Sequence, residues 1–472
     1  MRALMWFRAD LRIEDNPALH RACRSAGEGV VAVFAITAKQ WAEHDWGAMR
    51  VDFVLRNLAE LSEALHARKI PLKIITAPRF DDLPQKLVAL AQEHDCATVF
   101  FNNEYEVNEQ ARDDAVVAAF ERADLSVERS ADQCILDVGN IRTQSDGWYT
   151  VFTPFKRKWY ATLAEQGPPE LAPKPRKQAD TGIAPDPVPE AVTGFKGHTR
   201  ADLWAAGEGE AHDRLQHFVK ERIERYKTDR DSPATAGTST LSPYLASGAT
   251  SARQCLGAAG AANNGRGDSG EKGVVTWISE LIWREFYRHI LMGYPRVCRH
   301  QPFRLETKQI EWDEDDAHFE AWCAGRTGFP IVDAGMRQLA RTGWMHNRVR
   351  MITAMFLTKD LFIDWRRGEA HFMRHLVDGD LASNNGGWQW SASTGTDAAP
   401  YFRIFNPYSQ SRKCDPTGDY IRKFVPELAG LDDDSIHQPE PLAADANDYP
   451  QPIVDRTQTK ERVMAAFKAI KS

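Results

Sequence analysis

With 472 residues, 43% hydrophobic and 26% charged, the chain has the composition of a soluble globular protein large enough for two or more cores. No apolar run approaches the roughly 20 residues needed to cross a bilayer, and the start MRALMWFRADLR is charged too early for a secretory signal. The seven Cys stand singly with no CxxC pair, which argues against a disulfide framework or structural zinc and for a reduced cytoplasm; the net charge of -7 argues against a nonspecific nucleic-acid coat but leaves room for one basic face.

Short apolar runs at 3–7, 30–36, 72–76, 98–101 and 125–128 read as strands. Between them lie amphipathic stretches such as 51–67, where Val54, Leu58, Leu61 and Leu65 recur at helical spacing. Strand–helix alternation at about 30 residues predicts an α/β domain with a parallel, doubly wound sheet over residues 1–130. FRADLRIEDNP follows the first strand where GxGxxG or GxxxxGK[ST] would stand, so this domain is Rossmann-like in shape but lacks the usual phosphate cradle. Residues 131–201 read as an interdomain linker; the seven Pro within 168–189 bar helix and predict an extended, passive spacer. From about Asp202 the patterns are helical, at 212–226, 273–291, 331–340, 347–361 and 369–376, giving an all-helical domain over 202–472 whose Asp- and Pro-rich tail after Leu431 is less ordered.

The chemistry concentrates in that half. DWRRGEAHFMRHLVDGDLASNNGGWQWSASTGTDAAPYFRIFNP (364–407) sets two acids, Asp378 and Asp380, and the pair Asn384 and Asn385 beside Trp388 and Trp390. Buried carboxylates are costly unless paired, so this setting points to a bound polar ligand. Eight of the 14 Trp lie between Trp277 and Trp390, which favours stacking or electron transfer over packing alone. Read as a helix, VVTWISELIWREFYRH (274–289) puts Trp277, Glu280, Arg284 and Tyr287 at three- and four-residue spacing with Trp283 beside them, a face neither aliphatic nor fully solvated. In TGWMHNRVRM, Arg350 is flanked by Met351, Ile352 and Met355; it either calls for an acidic partner, which Asp378 or Asp380 could supply, or is an ordinary surface arginine. In GTSTLSPYLASG (237–248), Ser242 before Pro243 is an N-cap signal, and a hydroxyl-rich helix start suits phosphate, although most capped helices bind nothing. Trp312, Trp365 and Trp388, taken singly, read as core.

Together WFRADLRIEDNPAL, VFTPFKRKW, TSTLSPYLASG, WISELIWREFYRH, TGFPIVDAGMRQL, TGWMHNRVRM and the 364–407 stretch resemble the signatures of the DNA photolyase/cryptochrome family, in the same order and from end to end. The resemblance is closest to bacterial class I enzymes that repair cyclobutane pyrimidine dimers. It implies an N-terminal α/β domain joined to a helical FAD-binding domain, whose reduced flavin (FADH−), excited by blue light, passes an electron to a flipped-out dimer. By motif position, Tyr226, Thr238, Ser239, Thr240, Leu241, Ser242, Trp277, Glu280, Arg284, Asn347, Arg350, Asp378, Gly379, Asp380 and Asn384 would surround FAD, with Arg350 paired to Asp378 and Asn384 facing flavin N5. Thr240 stands where relatives often carry a basic residue. Trp283 and Trp390 would stack on the lesion, with Glu280, Tyr287, Asn347 and Met351 beside it, and Arg230, Arg284, Arg348, Arg403 and Gln410 would meet the DNA backbone. Trp388, Trp365 and Trp312 would form an electron-transfer chain to the surface. Asn108, Glu109 and Cys298 would hold an antenna chromophore, 5,10-methenyltetrahydrofolate, with a deazaflavin as alternative. No metal is implied, and family members are typically monomers.

Two other readings compete with repair of cyclobutane dimers. A signalling cryptochrome often has Asp or Cys in place of Asn384, and a repair enzyme for the other pyrimidine photoproduct uses His where Asn347 and Met351 stand.

Overall fold

The computed structural model describes residues 1–441 and 448–470. Strands β1 (Arg2–Phe7), β2 (Val30–Ile36), β3 (Leu72–Thr76), β4 (Cys96–Asn102) and β5 (Ser126–Ser130) form one parallel sheet in the order β3-β2-β1-β4-β5. Side chains alternate between its faces. Ala3, Met5 and Phe7 enter a core with Val51, Leu58 and Leu65 of the Ala48–His66 helix. Leu4 and Trp6 enter another, with Leu87 of the Leu83–Glu93 helix and Phe120 of the Val107–Arg122 helix. Covering both faces is what makes β1 and β2 continuous apolar runs. Edge strand β5 sits slightly later than its apolar signal, because its residues Ser126, Glu128 and Arg129 pair on one side only.

The FRADLRIEDNP loop serves as a lock between the two halves. Arg12 pairs with Asp132, and Arg253 of the Ala252–Ala262 helix reaches Asp15 at 3.0 Å and Asp132 at 2.6 Å, all with almost no exposure. Buried ion pairs add little net stability, but breaking one strands a buried charge, so they specify how the halves meet.

Within the predicted linker, residues 168–189 form no helix or strand, and they are more than a passive spacer. Asp186 accepts from the Ile74 N–H at 2.9 Å and donates its own N–H to Leu72 O at 2.8 Å, closing the open edge of β3. Residues 131–201 also contain a helix, Phe152–Gln166, whose Phe155 and Trp159 pack with Leu281, Ile282 and Phe286 of the long helix Lys272–Gly293.

Two predicted helices are interrupted. The one at 212–226 ends at Glu221 and resumes through a tight turn as Tyr226–Asp229. The one at 347–361 runs as an α-helix only over Asn347–Met355 and widens into a π-helix over Phe356–Asp360. The tail is also more ordered than its composition predicts: the Arg456–Ala469 helix buries Val463 and Phe467 against Ile310 and Phe362. The rest of that expectation falls partly on residues 442–447, outside the described residues.

Candidate active site

Two helices cross at the centre of the helical half, Lys272–Gly293 and Leu381–Ala392. At the crossing Gly386 faces Tyr287 so closely that a Cβ would lie 2.2 Å from its ring, which only glycine permits. Next to it Arg288 pairs with Asp380 at the opposite end of the partner helix. The helices therefore run antiparallel, and Trp283 and Trp390 come to the same end. Trp283, half-buried, lies flat on Phe152 with centroids 3.6 Å apart and planes 9° apart. Trp283 thus joins Phe152, Phe286 and Tyr287 in one aromatic cluster beside the crossing.

Below it, Tyr226 and Trp277 are held by a shared neighbour, Phe218, at 5.8 and 5.1 Å, and both are almost fully buried. Glu280 accepts from Arg230; burial raises its carboxyl pKa, with Arg230 opposing. Arg350 takes Asp378 at 2.8 Å and donates through Nε to Met345 O, also at 2.8 Å, so of the two alternatives the paired arginine is the one observed. Asp380 caps its helix by accepting from Ser383 N–H at 2.8 Å. Burial pushes the Asp380 pKa up, but Arg288, Arg284 and the Ser383 N–H more than offset it and hold the carboxyl well below its ordinary range. Gly379 lies between these two acids. Asn384 donates to Glu369 O at 3.0 Å, which fixes its amide and leaves its oxygen unspent.

The 238–242 loop departs from expectation at Ser242. The Ser242–Ser247 helix is capped by the backbone of Leu241, and the Ser242 hydroxyl instead accepts from Trp344 Nε1 at 3.2 Å. Thr240 is left-handed at φ 52°, and its hydroxyl accepts from Arg214 at 3.3 Å. Thr238 and Ser239 hydroxyls and the exposed Asn347 amide make no hydrogen bond among the described residues. Unspent polar groups around paired charges fit a large polar cofactor.

Arg284 departs from one expectation. It donates to the carbonyls of Gln133 and, at 3.3 Å, Leu245, so it lines the cavity between the halves and does not reach outward for a DNA backbone. Arg230 and Arg348 are both paired, Arg230 with Glu280 and Arg348 with Asp231 at 2.6 Å; Arg403 is exposed, and Met351 and Gln410 are half-buried.

The three indoles expected to relay electrons grade from inside to outside. Trp388 and Trp365 are 2% and 0% exposed, and neither ring N–H has an acceptor among the described residues. Gly368, three residues after Trp365, lets the two helices close on Trp388. Asp313 N–H donates to Phe362 O at 2.9 Å, which brings half-buried Trp312 to 5.0 Å from Phe362, just ahead of Trp365.

A cavity of about 310 Å³ opens between the halves, lined by Asn108, Glu109, Cys298 and Asp380. Asn108 and Glu109 converge on His44 at 3.0 and 3.4 Å. His44, Arg50, Phe152 and Arg288 escaped the sequence reading. Arg288 repeats Arg284 at i+4 and could have been found by spacing; the others carry no local signal.

A sheet domain locked onto a helical cage of paired charges and unspent hydroxyls defines a protein that holds a large cofactor in its helical half. Residues 3–176 match the model for DNA photolyase, and residues 277–469 match that for the FAD binding domain of DNA photolyase. The deoxyribodipyrimidine photo-lyase of Salmonella typhimurium is 44% identical over 99% of this chain and 98% of its own length. Among solved structures, a bacterial class III photolyase from Agrobacterium tumefaciens is similar at a TM-score of 0.87 and 35% identity, covering 100% of this chain and 98% of that one. The Synechocystis cryptochrome matches at 0.87 and 28%, covering 98% and 99%. The chain belongs to the DNA photolyase family.

Proposed function

We propose that the protein is a deoxyribodipyrimidine photo-lyase, a carbon–carbon lyase that uses FAD and blue light to split cyclobutane pyrimidine dimers in DNA. The observation that supports this reading is the close crossing of the two helices at Gly386, which brings the helix of Trp277, Glu280, Trp283 and Arg288 onto the helix of Asp380, Asn384 and Trp390. FAD bound there in reduced form would supply, on excitation, the electron that opens the cyclobutane ring and would take it back once the two pyrimidines have parted.

The chain's own residues bind, orient and exclude. The Thr238 and Ser239 hydroxyls and the start of the Ser242–Ser247 helix would take the diphosphate. Arg350, anchored by Asp378, would place positive charge beside the ring system, where it favours an anionic reduced form. The Asn384 amide, fixed by Glu369 O, would present its oxygen at the flavin edge. Trp283 and Trp390 would stack on a flipped dimer, with Glu280, Asn347 and Met351 at its rim, while Arg230, Arg348, Arg403 and Gln410 hold the backbone without reading sequence. Trp388 and Trp365, buried and without a hydrogen-bond acceptor among the described residues, would pass a hole on toward half-buried Trp312, which would release its proton to water.

The interdomain cavity would take an antenna, 5,10-methenyltetrahydrofolate, at Asn108, Glu109, His44 and Cys298. Seven free thiols, five of them buried, fit a reducing cytoplasm, and among the described residues no helix is long and apolar enough to cross a membrane. The reading takes the protein as a monomer.

The test is an absorption spectrum of purified protein followed by repair of a dimer-containing oligonucleotide in light and in darkness. Flavin bands with light-dependent repair are expected. Protein that takes up no FAD, or FAD-loaded protein inactive on the dimer in light, would refute the reading.

A further inference from the structure

Arg50 belongs to the Ala48–His66 helix of the sheet domain, yet its guanidinium reaches the turn of Asp378, Gly379 and Asp380 in the helical half. Its Nη1 lies 3.4 Å from where a Gly379 Cβ would stand. The guanidinium carbon sits 3.6 Å over the ring of Trp46, which stacks on Trp41 at 4.8 Å and 6°. All three line the cavity between the halves. The acids of the turn are already taken, Asp378 by Arg350 and Asp380 by Arg288. Among the described residues Arg50 is therefore left with a π-face and no ion pair or side-chain hydrogen bond. Its surrounding carboxylates, Asp380 first and then Glu106, Glu109 and Glu104, act on it at longer range.

A partly buried guanidinium with no ion-pair partner among the described residues is costly, and at neutral pH it stays charged. Burial draws its pKa down to about 10, which leaves it a cation. In a poorly screened interior such a charge acts over several ångströms, on anything in the cavity and on anything across the turn. One side chain thus touches both compartments.

We propose that Arg50 is a positioning residue that couples the cavity to the flavin site: its charge supports the anionic reduced flavin across the Asp378–Asp380 turn, and an anionic ligand in the cavity withdraws part of that support. The inference rests on the reading that FAD lies against this turn and that the cavity takes a chromophore. Linkage requires the effect to be reciprocal. If an anionic antenna makes flavin reduction harder, reduced protein binds that antenna more weakly, by the same factor.

The experiment uses FAD-loaded full-length protein. Without antenna, the flavin midpoint potential of R50Q should lie below that of wild type, and R50K, which keeps the charge, should stay close to wild type. Equal potentials in wild type and R50Q overturn the proposal, as does R50K falling with R50Q, since that would tie the effect to shape and not to charge. 5,10-Methenyltetrahydrofolate is then titrated by fluorescence into oxidised and reduced protein. Wild type should bind it on the order of fivefold more weakly when reduced, and R50Q equally in both states; a wild-type ratio of one overturns the coupling. Wild-type protein that takes up no FAD would overturn the functional reading and the coupling with it, whereas an FAD-loaded, repair-active protein with a ratio of one sinks the coupling alone.

Discussion

Gly368→Ala tests whether the packing around Trp388 carries the electron path. A Cβ at Gly368 would stand 2.1 and 2.4 Å from Trp388 Cη2 and Cζ3 and 2.6 Å from Leu357 Cδ2. Carbon atoms rest at about 3.5–4.0 Å, so something must move by more than about 1 Å. Trp388 is 2% exposed and has no solvent side to retreat to. Ala in a helix gains about 1 kcal/mol over Gly, while overpacking a closed core costs about 1–3 kcal/mol. The depth of the clash puts this site at the upper end, for a net loss of about 2 kcal/mol. The indole is pushed away from the helix that bears Trp365, so light reduction of oxidised FAD should slow, while repair by chemically reduced enzyme is retained. A urea titration followed by flavin absorbance under illumination measures both effects. A variant as stable as wild type and photoreduced at the wild-type rate would refute the argument.

Trp283→Ala should weaken binding of dimer-containing DNA by about 1–3 kcal/mol, the worth of one stacked base, and affect intact DNA less; equal losses in a gel-shift titration would remove its role as a platform. Trp312→Phe should abolish light reduction of oxidised FAD and spare repair by pre-reduced enzyme, read by flavin absorbance and oligonucleotide repair; loss of both would mean that the indole is structural. Lys359 is buried in the π-helix, donates to Ala392 O at 3.1 Å, and has its pKa drawn down to about 7 by burial. Between about pH 7 and its unfolded value near 10.4 the unfolded chain holds the extra proton, so this residue makes stability rise with pH over that window. Lys359→Met should flatten that rise and stabilise the protein at pH 7 by on the order of 1–4 kcal/mol, and denaturation midpoints at pH 7 and 9.5 check it. Asp231→Asn frees Arg348 from its 2.6 Å pair and should tighten damaged and intact DNA alike, by up to about 1 kcal/mol; unequal tightening would mean that the pair reads the lesion.

Much of this architecture is legible in the chain because burial on both sides writes simple patterns. β1 and β2 are continuous apolar runs, and the helix carrying Trp277, Glu280 and Arg284 declares its composite face by spacing. What stays hidden depends on contacts across long separations. β5 is polar because it is an edge. The FRADLRIEDNP loop looks like a missing cradle until Arg253, some 240 positions later, closes on Asp15. Arg284 and Arg288 sit one turn apart on one helix, and both donate to Gln133, some 150 positions earlier, which nothing local announces. Ser242 carries every local sign of a cap, yet Trp344 claims its hydroxyl. Local patterns specify elements; the division of polar groups among partners is settled by tertiary structure.

A chain of net charge -7 that binds a polyanion must confine its attraction to one place. At physiological salt, charges beyond about 8 Å are largely screened, so the mouth of the cage matters more than the total. There Arg230 and Arg348 are held by Glu280 and Asp231 before any DNA arrives. A half-exposed pair is worth at most about 1 kcal/mol, so exchanging a carboxylate for a phosphate changes little, and intact DNA gains only a weak, salt-sensitive grip. A dimer differs in what flipping costs: its distorted bases are already poorly stacked and paired, whereas sound bases must give up a few kcal/mol to leave the helix. Stacked on them as proposed, Trp283 and Trp390 would return about 1–3 kcal/mol per stacked base to either. On the proposed reading this balance favours the lesion, and Arg230, by moving to phosphate, would leave Glu280 free to accept from the flipped bases.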